Sequence, residues 1–139
     1  QYITAIMDGL DWVGLNPDHE PIKQSDRFDI YKNEAFRLIE EGKAYKDDGA
    51  IRLSVNKEGS TLVKDLVYGD IEFLNKELDD LVILRSDNSP TYHFCNVIDD
   101  NYQQVTHIIR GEDHLPILLN KSKLLVRLAM MVLTMLIYH

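Results

Sequence analysis

The spacing of apolar residues changes period twice along this chain, and that change limits the fold more than any other feature. Ile3, Ile6, Leu10 and Val13 recur at helical intervals, with Gly14 placed to end the helix. Asn16-Pro17-Asp18-His19-Glu20-Pro21 reads as a connector, since its two prolines forbid regular pairing. A second helical stripe follows in Phe28, Tyr31, Ala35, Leu38 and Ile39, with Gly42 as its C-cap. Ser25 is expected as the N-cap, with Asp26 and Asp29 in a first turn where the helix dipole favours negative charge. Over residues 44–86 the period shortens. Ile51, Leu53 and Val55 alternate with Arg52 and Ser54 as in a half-buried strand, and 62–63, 69–73 and 81–84 read as further short strands. Gly59, Gly69 and Asp87-Asn88-Ser89-Pro90 punctuate them. A helix is then expected from Thr91 to about Tyr102, a strand over 105–109 and a turn at Gly111. Two helices, a β-rich section and a return to helix and strand imply an insertion inside an α/β domain.

Composition narrows the function. At 139 residues the chain is one ordinary domain or a fragment of a larger one. Its net charge of −8 argues against a dedicated nucleic-acid binder, so any RNA contact would rest on locally placed Lys and Arg. Cys95 is the sole cysteine, which rules out an internal disulfide and a cysteine-based zinc site and fits a reducing cytoplasm. The opening Gln1-Tyr2-Ile3-Thr4 shows no secretory leader and no methionine, as expected of a fragment. Residues 117–139 are crowded with Leu, Met, Val and Ile. Their uninterrupted apolar part, 128–138, is too short to span a bilayer and by composition reads as a buried helix.

The densest polar cluster runs from Tyr92-His93-Phe94-Cys95-Asn96 through Asp99-Asp100 to Arg110-Gly111-Glu112-Asp113-His114. On a helix, Tyr92 and Asn96 share one face, so a hydroxyl and an amide could meet one ligand. Arg110 would emerge at the end of a strand, where open α/β sheets bind ligands, and its planar fork suits a carboxylate. Blander readings stand beside these. Tyr92 could be a core residue with a satisfied hydroxyl, and Arg110 could pair with Asp99 or Asp113. Glu112, Asp113 and His114 resemble a metal cluster, but neighbours on a helix point apart. His19 and His107 are isolated, and Asp79-Asp80 and Asp99-Asp100 read as turn and surface acids. Chemistry alone thus gives an α/β site for something anionic.

Leu78-Asp79-Asp80-Leu81-Val82-Ile83-Leu84-Arg85-Ser86-Asp87, Pro90-Thr91-Tyr92, Val97-Ile98-Asp99-Asp100 and Thr106-His107-Ile108-Ile109-Arg110-Gly111-Glu112-Asp113-His114-Leu115 follow one another in the register of a known family. Upstream, Leu10-Asp11-Trp12-Val13-Gly14-Leu15, Gln24-Ser25-Asp26-Arg27-Phe28 with Tyr31, and Glu41-Gly42-Lys43-Ala44-Tyr45 match as well. Over nearly all of residues 1–116 the chain resembles the bacterial-type glutamyl-tRNA synthetases, a class I aminoacyl-tRNA synthetase family. The resemblance implies an α/β fold: a Rossmann-like catalytic domain (1–42 and 91–116) with an inserted α+β subdomain (43–90) that grips the acceptor stem. It implies that Tyr92, Asn96 and Arg110 line a glutamate pocket, with Glu112 and Asp113 near the ATP and the tRNA 3′ end. The reaction it implies joins glutamate to ATP, with Mg2+, and then moves the glutamyl group onto tRNA(Glu). It further implies a cytoplasmic ligase without a membrane anchor, whose full-length relatives are expected to be monomeric.

The departures from the family pattern are equally informative. The family's H-I-G-H-type segment, its acidic glutamate-binding stretch and its K-M-S-K-S-type loop are absent, so no catalytic residue is assigned and the 139 residues alone are expected to be inactive. The stretch that carries a zinc site in some relatives is reduced to Lys46-Asp47-Asp48-Gly49, so no zinc site is expected. Where the family has N-T-P-[KR]-Q-I, this chain has Ile117-Leu118-Leu119-Asn120-Lys121-Ser122, whose codons can spell N-T-P-K-Q-I when read one base earlier. The same shift can recover Y-A-H-I-S from Thr134-Met135-Leu136-Ile137-Tyr138-His139, which makes 117–139 a candidate out-of-frame tail. A non-catalytic acceptor-binding remnant, a relative that glutamylates a modified tRNA base, and a misfolded relic of a disrupted gene are the competing expectations.

Overall fold

Helix α1 (Tyr2–Trp12) and helix α2 (Phe28–Glu40) both end where a glycine takes the left-handed conformation, Gly14 at φ 73° and Gly42 at φ 66°. Each closes with a Schellman pair of hydrogen bonds. Gly14 N–H donates to the Asp11 carbonyl and Leu15 N–H to Leu10; Gly42 N–H donates to Ile39 and Lys43 N–H to Leu38. The computed structural model in which these elements are seen describes residues 2–66, 69–111 and 134–138, the side chains of 63–65, 109–111 and 134–138 apart. The N-terminus of α2 departs from expectation. Ser25 is not its cap but lies inside a short 3₁₀ helix, Gln24–Arg27, and its hydroxyl meets the Asp26 carboxylate. The expected stripe on α2 is real, since Tyr31, Ala35 and Leu38 are fully buried, whereas Phe28 stays exposed. The stripe on α1 buries nothing within the described residues, and Trp12 is 87% exposed.

Strands β1 (Ala44–Asp47), β2 (Ala50–Leu53) and β5 (Leu81–Leu84) form a three-stranded antiparallel sheet in the order β1-β2-β5. The β1–β2 hairpin turns on Asp48 (φ 45°) and Gly49 (φ 78°). Two positive φ angles in a two-residue loop are what the right-handed twist of a hairpin requires, and Asp-Gly is a favoured pair for them. An added Cβ on Gly49 would also stand 3.3 Å from the Ser86 Cβ. The pairing of β2 with β5 shifts register between Ile51 and Arg52.

Between them lies a second hairpin, β3 (Ser60–Asp65) and β4 (Gly69–Leu74), paired from Ser60↔Leu74 to Asp65↔Gly69. Beyond helix α3 (Tyr92–Tyr102) come β6 (His107–Gly111) and β7 (Thr134–Tyr138). They complete a second sheet ordered β4-β3-β7-β6, in which β7 runs parallel to both neighbours. Gly111 is the last described residue of β6, so the expected turn after it lies outside the described residues, and residues 134–138 are extended where composition suggested helix. The rest of 117–139 lies outside the described residues.

One core joins α2, α3 and the first sheet. Tyr31, Ala35 and Leu38 of α2 meet Phe94, Cys95, Val97 and Ile98 of α3 over Ala44, Ile51, Leu53, Ile83 and Leu84 of the first sheet. The physical reason is alternation. Ile51 and Leu53 point to one face of β2 while Arg52 points to the other and pairs with Asp47. Gly49→Ala is expected to lower stability by about 1 kcal/mol or more, because alanine resists a positive φ and crowds Ser86. A shift of the denaturation midpoint measures it; an unchanged midpoint would show that the turn does not constrain the sheet.

Candidate functional site

Helix α3 is pinned at its start. Thr91 occupies the N-cap position in extended conformation, but its hydroxyl donates to the Val82 carbonyl at 3.0 Å instead of capping the helix. Its N–H donates to the Ile83 carbonyl at 3.0 Å. The turn before it is held by the Asp87 carboxylate, which accepts from Ser89 N–H at 2.8 Å, and by Arg85, which donates to the Pro90 carbonyl at 3.0 Å. These bonds fix the first turn of α3 to the end of β5 and so fix where Tyr92 and Asn96 stand.

Tyr92, Asn96 and Asp99 follow one another along one face of α3. That face closes progressively: Tyr92 is 63% exposed, Asn96 is half-buried and Asp99 is only 5% exposed. At the closed end, Asp99 Oδ1 accepts from Arg27 Nε at 2.9 Å and Oδ2 accepts from the Tyr31 hydroxyl at 2.6 Å. The Arg27 guanidinium also lies over the Tyr102 ring, 4.4 Å from its centre. Burial, then the hydrogen bond to Asp99, pushes the Tyr31 hydroxyl above the ordinary tyrosine range. Burial, then the nearby Asp99 charge, pushes the Cys95 thiol up to about 11, in keeping with its place in the buried core. In the middle of the face, Asn96 Oδ1 accepts from Gln24 Nε2 at 2.9 Å.

The sequence expectations fare unevenly here. Tyr92 is no core residue; it stands open at the start of α3, its ring 5.6 Å from that of His93 in an edge arrangement. Arg110 lies on β6, paired through its backbone with Ile137, while its side chain, with all of Glu112 and Asp113, falls outside the described residues. Asp99 is not a surface acid: it is the buried acid that α3 shares with the 3₁₀ helix and α2, and both of its oxygens are engaged. Asp80 is not merely a turn acid either, since it accepts from Val55 N–H and from the Tyr45 hydroxyl. Among the described residues no group of three His, Cys, Asp or Glu could hold a metal ion. Gln24 and Arg27 had no part in the residue-level reading. Their partners lie 72 residues away, and no local pattern carries such a signal.

Solved structures share this fold. A glutamate-tRNA synthetase from Elizabethkingia anophelis superposes with a TM-score of 0.77 at 23% identity, over 96% of this chain and 39% of that one. A glutamate tRNA ligase from Elizabethkingia meningosepticum, solved in complex with its amino acid, gives 0.76 at 23% identity, over 96% and 38%. The architecture is thus the mixed helix and strand fold of class I glutamyl-tRNA synthetases. The sequence model of the class I tRNA synthetases (E and Q), catalytic domain, matches residues 1–50 and 47–135, and the chain belongs to that family. The glutamate–tRNA ligase of Thermodesulfovibrio yellowstonii is 40% identical over 151 aligned positions, covering 83% of this chain and 32% of the relative. That of Magnetococcus marinus is 40% identical over 149, covering 81% and 32%. The chain spans about a third of the length of these relatives. The alignments exceed the 139 residues of the chain, so the relatives carry residues with no counterpart here. The family match divides at 47–50, the site of the Asp48-Gly49 turn.

Removing one member of a buried ion pair leaves its partner charged and unpaired, so Arg27→Ala is expected to cost about 3–5 kcal/mol. Tyr31→Phe removes only one bond to a charged acceptor and is expected to cost about 2 kcal/mol. Urea unfolding of both variants tests the order. Burial would raise the Asp80 carboxyl, but Val55 N–H and the Tyr45 hydroxyl outweigh it and hold it below the ordinary value of 3.8. A depressed folded value means stability that is present above the unfolded value and lost as pH falls. Asp80→Asn is therefore expected to destabilise at pH 7 more than at pH 3, which thermal melts at the two pH values measure.

Proposed function

We propose that this chain is the amino-acid-holding part of a glutamyl-tRNA synthetase catalytic domain, with Tyr92, Asn96 and Arg110 meeting L-glutamate. The observation that carries this reading is the open face of α3, on which Tyr92 and Asn96 stand one turn apart beside a buried anchor. A phenol hydroxyl, an amide and a guanidinium are donors suited to an amino acid with two carboxylates. Glu112 and Asp113 are assigned to the vicinity of ATP and the tRNA 3′ end, and residues 43–90 to an inserted subdomain that grips the acceptor stem of tRNA(Glu). Magnesium enters with ATP as its counter-ion and calls for no dedicated protein cage. The work is cytoplasmic; among the described residues no helix is long and apolar enough to cross a membrane.

In this reading the whole enzyme activates glutamate as an adenylate and transfers it to tRNA, chiefly by positioning and by stabilising phosphate charge. These 139 residues hold neither family signature for handling the phosphates, so ATP–pyrophosphate exchange by this chain alone is expected at background. Glutamate binding separates the pocket from mere packing. In an intact homologue, alanine at the position of Arg110 is expected to weaken L-glutamate binding about tenfold or more with ATP binding little changed, as read by titration calorimetry. Equal losses for both ligands would overturn the assignment. Residues 117–139 are assigned to out-of-frame translation, which the coding DNA tests directly: read one base earlier beyond Pro116, it should continue as N-T-P-K-Q and later Y-A-H-I-S.

A further inference from the structure

The bond between Gln24 and Asn96 is one rung of a pair. Gln24 and Arg27 stand three apart on the 3₁₀ helix, where residues i and i+3 eclipse and their side chains rise one above the other. Asn96 and Asp99 stand three apart on α3 and share a face. The two rungs, Gln24 Nε2 to Asn96 Oδ1 and Arg27 Nε to Asp99 Oδ1, are each 2.9 Å long. The lower rung is a nearly buried ion pair, with Arg27 further seated on Tyr102, and it holds the 3₁₀ helix in one register against α3. With that register fixed, Gln24 stands against the next residue up the face, Asn96.

An asparagine amide can present either its oxygen or its NH2 group, and which it presents depends on its partners. Arg27 below is taken up by Asp99, and the Asn96 amide is met instead by Gln24, which presents its NH2 group. By donating to Asn96 Oδ1, Gln24 occupies the acceptor and leaves the NH2 group as what Asn96 offers a ligand. A carboxylate accepts hydrogen bonds and cannot donate them. We propose that Gln24 is a positioning residue, which orients the Asn96 amide so that its NH2 group faces a ligand carboxylate, and that the Arg27–Asp99 rung sets the register in which it does so. The identity of that carboxylate as glutamate's rests on the function proposed above.

Two substitutions of opposite hydrogen-bonding sense test it in the full chain. Gln24→Lys keeps a donor at this position; Gln24→Glu offers only an acceptor and would turn the Asn96 amide over, with its oxygen toward the ligand. L-glutamate affinity is expected to fall about tenfold or more in Q24E and to change by less than about threefold in Q24K, with similar thermal midpoints for both. The charges the two side chains add also separate them, but that part fades at high salt, so the difference is read at an ionic strength where only the amide orientation is expected to persist. Relaxation of the ¹⁵N-labelled Asn96 side-chain amide reads how firmly Gln24 holds it without any ligand: rigid in the unaltered chain and in Q24K, loosened in Gln24→Met. Equal glutamate affinity in Q24E and Q24K, or a mobile Asn96 amide in the unaltered chain, overturns the proposal. A rigid amide that Q24M loosens, in a chain that does not bind L-glutamate, supports the orienting role and overturns the substrate instead.

Discussion

The buried carboxylate of Asp99 is the constraint on which the arrangement of the helices depends. A carboxylate withdrawn from water is costly unless its oxygens are satisfied, and here Arg27 takes one and Tyr31 the other. Those partners lie on the 3₁₀ helix and on α2, while Asp99 itself belongs to α3. Three elements must therefore meet in one geometry for one acid to be paired. Apolar contacts among Tyr31, Phe94 and Val97 would supply burial without choosing the rotation of α3. The acid chooses it, because only one rotation brings Asp99 to both donors.

That rotation also sets the site. With Asp99 turned inward, the same face carries Asn96 half-buried and Tyr92 open, one and two turns toward the N-terminus. Thr91 then ties that open end to β5 through Val82 and Ile83. The candidate ligand groups thus stand between two anchors, one ionic and one made of backbone bonds. Preorganisation of this kind lets a few polar side chains hold an amino acid without reordering on binding.

The first sheet shows how the chain accommodates a segment that its relatives carry and it lacks. The family match divides where β1 turns into β2, and the turn found there is a two-residue Asp-Gly hairpin of the hand that strand twist favours. The strands on either side still place Ala44, Ile51 and Leu53 in the core beneath α2 and α3. A shortened connection at this position therefore leaves the support of the site in place.

Much of this was legible in the residues, and for local reasons. Helical spacing gave α1 and α2, glycines at the two helix ends gave their caps, alternation gave β2 and a short apolar run gave β5, because each depends on neighbours within a few positions. The four-residue spacing of Tyr92 and Asn96 placed them on one face for the same reason. Ser25 misled because an N-cap pattern does not say whether a 3₁₀ turn will come first, and residues 134–138 because an apolar run fits a helix or a strand equally well. By itself, then, the sequence determined most of the helices, the first sheet's strands and the family, and it put forward Tyr92 and Asn96 as candidates on one helix face. Only the tertiary structure decided that Asp99 is buried, that Arg27 pairs with it and that Gln24 meets Asn96. Pairings across 72 residues are set by the packing of whole elements, and no local periodicity encodes them.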